Sequence, residues 1–121
     1  MIKAIIFDMD GTLYKSETIR KKFAEAAYQT LAKERSISLE SAQQDIEQKR
    51  EGMRARFGRS VPYTLTLQEF GIPIMVWHEH NIAYFDPRDY LEPDPVLQET
   101  LVTLKHDFLL AVLTNNNRIQ T

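Results

Sequence analysis

The sequence predicts an α/β fold in which two short parallel strands flank a run of helices. Three observations carry that prediction. Lys3 to Phe7 and Phe108 to Leu113 are apolar runs of strand length, the pattern of strands buried on both faces of a parallel sheet. Between them, apolar residues recur four apart, which is a helical period. A last helix leads directly into the second run, and two strands joined through a helix favour parallel pairing with a right-handed crossover.

Each element follows in order. Lys3–Phe7 is β-rich and bounded by Asp and Gly. From Ser16 the pattern turns helical: Ile19, Phe23, Ala27 and Leu31 form one stripe, Ser16 is a plausible N-cap and Glu17 suits the first turn. Ser38 caps a second helix carrying Leu39, Ala42, Ile46 and Met53. A third, short helix is predicted over Thr64–Phe70, with Gly71 just past its end. Ile74–Phe85 is ambiguous by pattern and leans helical. Pro87, Pro93 and Pro95 then mark a linker. Asp94-Pro95 reads as N-cap and first helical residue, followed by the stripe Leu97, Leu101 and Leu104. That helix should end near His106, just before the second strand.

Composition narrows the function classes. The chain has 121 residues and a net charge of -2, so length alone argues for one modest domain, and charge favours neither nucleic acid nor an acidic membrane as partner. No cysteine is present, which removes disulfide and thiolate chemistry and fits a reducing compartment. No apolar stretch approaches membrane-spanning length. The expectation is a cytoplasmic protein with no membrane and no nucleic-acid partner.

The chemistry is concentrated at the strand ends. The first strand runs into Asp8-Met9-Asp10-Gly11-Thr12, the second into Thr114-Asn115-Asn116-Asn117. Two carboxylates crowded at a strand end repel each other and are costly to desolvate. They sit either in a solvated turn or against something positive. In a parallel pair both C-terminal ends share one edge, where open α/β sheets usually bind ligands. Carboxylates there can hold a hard cation such as Mg²⁺, and a carboxylate can attack phosphorus. A hairpin turn at Asp10-Gly11 is the bland alternative. An EF-hand loop is excluded, because Gly falls at the fourth position rather than the sixth.

D-M-D-G-T-L after an N-terminal apolar strand, with L-A-V-L-T-N-N ending a later one, resembles the haloacid dehalogenase-like superfamily of phosphohydrolases. The resemblance covers the start of the chain and the stretch from about Tyr90 onward. It implies a partial Rossmann-like core over residues 1–15 and 91–121, with residues 16–90 as an inserted α-helical cap and linker. The stretch Y-L-E-P-D-P-V-L-Q-E-T-L is similar to the approach to the second motif in the pyrimidine-nucleotidase-like branch. By position, the resemblance implies Asp8 as nucleophile and Mg²⁺ ligand. It implies Asp10 as general acid and base, with its backbone carbonyl on the metal. Gly11, Thr12, Thr114 and Asn115 would surround the phosphoryl group of a small phosphorylated metabolite. The second carboxylate argues for phosphate chemistry over dehalogenation. A phosphomutase using the same aspartates, and a non-catalytic binding module, are the alternatives.

The family pattern also needs a lysine after the second motif and a later acidic pair. Neither is found before Thr121. Lys105 and His106 precede the second strand and so sit at its opposite end, about 20 Å from Asp8 for six residues of strand. A two-stranded parallel sheet also leaves two open edges and cannot bury both faces well. The expectation is therefore a fragment of a longer enzyme, catalytically incomplete alone. Completion by another chain, including self-association, and loss of catalysis are the alternatives.

Other features invite weaker readings. Lys49, Arg50, Arg54, Arg56 and Arg59 form a local basic cluster suited to an anionic substrate or to electrostatic contact with nucleic acid, but a solvated helix end explains it better. His78-Glu79-His80 lacks metal-ligand spacing, since i and i+2 on a helix diverge. Trp77, Tyr84 and Phe85 are expected in the core of the cap rather than as a stacking platform.

Overall fold

The computed structural model describes residues 1–115; Asn116 and Asn117, part of the sequence-predicted loop, lie outside the described residues. The element order is β1 (Ala4–Asp8), α1 (Glu17–Arg35), α2 (Leu39–Phe57), α3 (Tyr63–Glu69), α4 (Ile74–Tyr84), a 3-10 turn (Pro87–Tyr90), α5 (Pro95–Asp107) and β2 (Leu109–Leu113). This is the α/β class, with two parallel strands flanking the helices. The described chain divides into two compact units: Thr18–Asp86, and Met1–Glu17 together with the residues from Pro87 onward.

In the helical unit the core is Ala26, Ala27 and Leu31 from α1, Ala42 and Ile46 from α2, with Leu67, Ile72 and Trp77. Ile19 is also buried and Phe23 half-buried, so the four-apart stripe of α1 faces inward as its period requires. Ser38 caps α2, its hydroxyl accepting from the Ser41 N–H at 3.1 Å. Gly58 closes that helix at φ +66°, donating to the Arg54 carbonyl, the left-handed ending glycine makes cheap. Buried hydroxyls are satisfied locally: Thr30 donates to the Ala26 carbonyl and Thr66 to the Pro62 carbonyl. The ambiguous segment is helical because Trp77 and Asn81, four apart, both turn inward. The Trp77 indole N–H donates to the Thr64 hydroxyl at 3.1 Å.

Of the three aromatics expected in this core, Trp77 and Phe85 are buried, Phe85 meeting Phe23 edge-on at 5.0 Å. Tyr84 is not; it is 38% exposed. Its phenol keeps a polar partner at the surface by donating to Glu25 Oε2, which also accepts from Lys22. The Lys22 bond first, then the Tyr84 bond, holds Glu25 below the usual carboxylate range.

Tyr28 donates to Glu47 Oε1 at 2.7 Å. Burial first, then that carboxylate, pushes the Tyr28 phenol above its ordinary pKa of 10.0, and burial raises Tyr63 as well. The unfolded chain therefore releases these protons first as pH rises. Stability contributed by the neutral phenols is intact below about pH 10 and declines above it. Urea midpoints measured on either side of that pH should fall more steeply for the wild type than for Tyr28→Phe. Parallel declines would contradict the linkage.

In the strand unit, β1 and β2 pair in parallel with Ala4 opposite Leu109 and Asp8 opposite Leu113. The Leu109 N–H donates to the Lys3 carbonyl at 2.9 Å. Asp94 caps α5 through the Leu97 N–H at 3.0 Å, with Pro95 at the first helical position. α5 packs against β2.

Strand burial departs from the both-faces-buried pattern of the apolar runs and agrees with the poor burial expected of a two-stranded sheet. No residue of β1, β2 or α5 is buried. Side chains alternate across a sheet, so Ile5, Phe7, Leu110 and Val112 share one face, where all but Val112 are half-buried. Ile6, Leu109 and Leu113 share the other and are 66%, 72% and 73% exposed. The reason is material: among the described residues this unit has one α-helix, and a parallel sheet needs helices on both faces to be dry.

Candidate functional site

The register places the sequence-predicted residues. Asp8, last in β1, pairs with Leu113, last in β2, and Thr114 follows at once. Both strands thus deliver polar residues to one edge, as parallel pairing dictates. Lys105 and His106 precede β2, whose first residue pairs with Ala4. They stand at the opposite end, as the spacing predicts.

Beyond β1 the chain closes on itself. Gly11 takes φ +79°, a left-handed conformation that side chains resist. Its N–H donates to the Tyr14 carbonyl at 2.8 Å. The Met9 carbonyl accepts from the N–H groups of Thr12 at 3.2 Å and Leu13 at 3.0 Å. The Gly11 and Thr12 amides are thus occupied within the loop. Gly11 contributes conformation, and Thr12 has its hydroxyl to offer a ligand.

The two carboxylates are held differently. Asp8 Oδ1 accepts from the adjacent Met9 N–H at 2.9 Å. Asp10 Oδ1 accepts from the phenol of Tyr14. Burial first, then the hydrogen bond and charge of Asp10, raises the Tyr14 pKa above its usual value, so this phenol remains a donor. Asp8 and Asp10 are exposed, Thr114 is half-buried and Asn115 exposed.

A family model described as haloacid dehalogenase-like hydrolase matches residues 2–121. The chain belongs to that family. No curated protein and no solved structure matches it. For a haloacid dehalogenase-like hydrolase, Asp8 and Asp10 are the oxygen donors to test against a metal. The Asp8 carboxylate and the Asp10 backbone carbonyl are hard oxygen donors of the kind that fits Mg²⁺, which needs few protein ligands and keeps several waters. Among the described residues, no group of three or more His, Cys, Asp and Glu side chains converges as a metal cage. None of the described helices is long and apolar enough to cross a membrane.

The basic cluster of α2 is largely committed to the fold of this hydrolase. Arg50 donates to the Val61 carbonyl at 2.6 Å and stacks 3.9 Å over Tyr63. Arg54 pairs with Glu51 at 3.1 Å. Lys49 and Arg56 line a groove of about 570 Å³ shared with Asp45, Glu69, Met53 and Phe70, where acids balance bases. His80 Nε2 lies 3.4 Å from Lys33 Nζ and 3.7 Å from Glu34 Oε1, which accounts for its surroundings without a metal.

Tyr14 is the site residue that sequence reasoning passed over. Its signal was weak: a phenol four positions beyond Asp10, on a loop that only the left-handed Gly11 folds back.

Proposed function

We propose that this haloacid dehalogenase-like hydrolase is a Mg²⁺-dependent phosphomonoesterase acting on a small phosphorylated metabolite through an aspartyl-phosphate. The observation that supports this most is the placement of Asp8 at the strand edge beside Thr114, with Asp10 on the adjoining loop.

Asp8 uses a carboxylate oxygen to form a bond to phosphorus. The bond from phosphorus to the ester oxygen breaks, and its electron pair stays on that oxygen, which takes a proton from Asp10. In the second half a water attacks phosphorus and gives its proton to Asp10. The phosphorus–Asp8 bond breaks and the carboxylate is restored. The net change is phosphomonoester plus water to alcohol plus phosphate. The Thr12 and Thr114 hydroxyls and the Asn115 backbone N–H are proposed to hold phosphoryl oxygens. Two like unit charges 4 Å apart near a protein surface repel by about 4 kcal/mol. Mg²⁺ held by Asp8 and Asp10 would offset that repulsion between nucleophile and substrate. The sequence preceding α5, similar to the pyrimidine-nucleotidase-like branch, makes nucleoside monophosphates the first substrates to try.

The test is phosphate release by the full-length protein from p-nitrophenyl phosphate and from a panel of phosphomonoesters. Release should require Mg²⁺ and stop on chelation with EDTA. No release from any ester would reject the hydrolase mechanism; release that survives chelation would reject the metal.

A further inference from the structure

α2 is 19 residues long, and its buried residues are Ala42 and Ile46. Its outer flank carries Asp45, Gln48, Lys49, Gly52, Met53 and Arg56, which line the groove of about 570 Å³ with Glu69 and Phe70. We propose that this flank docks a second copy of itself, α2 packing antiparallel on α2 about a two-fold axis. The inference stands apart from the phosphatase reading and uses none of the strand-edge residues.

Charge complementarity carries it first. Asp45 and Arg56 share the flank but stand about 16 Å apart along the helix, too far to pair within one chain. A two-fold interface brings each surface against itself, so every contact occurs twice. With the axis level with the Arg50–Glu51 peptide, Asp45 of each copy faces Arg56 of the other. Gln48 then faces Met53, and Lys49 faces Gly52. Each residue of the flank meets another of the flank, and both charged pairs are of opposite sign. Sliding one copy by a turn either sets Lys49 against Arg56 or leaves Asp45 against Gly52, so charge fixes the register. Lys49 lies 5.4 Å over the Phe70 ring, and Glu69 in the same groove offsets the approach of the two lysines. A groove with both signs of charge suits a small anion poorly and matches itself.

Gly52 is the second observation. Glycine inside a helix is destabilising relative to alanine. Its φ is not left-handed, and a Cβ built on it meets nothing within 4 Å. Packing within this chain therefore gives no reason for glycine there. Between two copies it has one: the Lys49 stem crosses the bare backbone at Gly52, where a larger side chain would collide. The flank is short and has little apolar surface beyond Met53 and Phe70, so the pair is weak and concentration-dependent.

Sedimentation velocity of the full-length protein from about 1 µM to about 500 µM follows the monomer–dimer equilibrium. The wild type should dimerise reversibly within that range. Asp45→Arg sets Arg against Arg twice, and Arg56→Asp sets Asp against Asp twice. Each should raise the dissociation constant about 10-fold or more. Both positions are exposed, and circular dichroism checks that each variant keeps its helices. Mixing the two variants restores both opposite-sign pairs, so the mixture should associate within about 3-fold of wild type. Gly52→Leu should move two readouts in opposite directions. Helix propensity raises the urea midpoint of the monomer, while the dimer weakens by about 10-fold or more. A monomer at every concentration overturns the proposal. So does a dimer indifferent to the charge reversals, or a pair of folded reversed variants that stays apart on mixing.

Discussion

Asp8→Asn is expected to lower kcat for phosphate release by about 10⁴-fold or more, the scale on which enzymes lose rate with their nucleophile. The change is nearly isosteric. An amide oxygen at the Oδ1 position still accepts from the Met9 N–H that now binds Asp8, so the loop keeps its shape. What is lost is the anionic oxygen proposed to bond to phosphorus. Asp8 is exposed at the end of β1, and exposed substitutions away from special contacts change stability by about 0.5 kcal/mol or less. Phosphate release and a denaturation curve on the same variant separate the two effects. Activity within about 10-fold of wild type would reject Asp8 as nucleophile.

The largest stability effect should come from Trp77→Ala in the helical unit. Trp77 is 4% exposed, belongs to the core shared by α1, α2 and α3, and donates to Thr64. Truncation leaves a cavity and strands the Thr64 hydroxyl. Such changes cost about 3–5 kcal/mol, a large share of the 5–15 kcal/mol typical of a folded protein. Trp77→Phe keeps most of the ring and should cost about 1–3 kcal/mol, chiefly through the lost hydrogen bond. Equilibrium urea unfolding followed by far-ultraviolet circular dichroism measures both. A cost below about 1 kcal/mol for Trp77→Ala would contradict its place in the core.

Local rules carried most of the fold. Ser38, Asp94-Pro95 and Gly71 act through backbone geometry within one turn, so each marks a helix end from sequence alone. The apolar runs at Lys3–Phe7 and Phe108–Leu113 likewise announce a parallel pair, because no polar residue interrupts either run after Lys3. That a two-stranded sheet cannot bury both faces well was legible too; which side chains stay exposed was not. Burial is a property of what packs on a strand, and among the described residues α5 is the α-helix that accompanies this pair. Tyr84 was misjudged for a related reason: a large ring favours the core, but its hydroxyl found Glu25 at the surface. At the site, Asp8 and Asp10 stood out because charge at a strand end is costly. Tyr14 did not, since its link to Asp10 depends on the path of a single left-handed glycine.

The central claim is that the phosphoryl group passes through the side chain of Asp8. Rapid quenching of the full-length protein during turnover, followed by borohydride reduction and peptide mass spectrometry, tests it most directly, because an acyl phosphate is reduced to the alcohol while a free carboxylate is not. The account predicts substrate-dependent reduction at position 8 and none at Asp10. Reduction at another residue, or an intact Asp8 in an enzyme caught turning over, would contradict it.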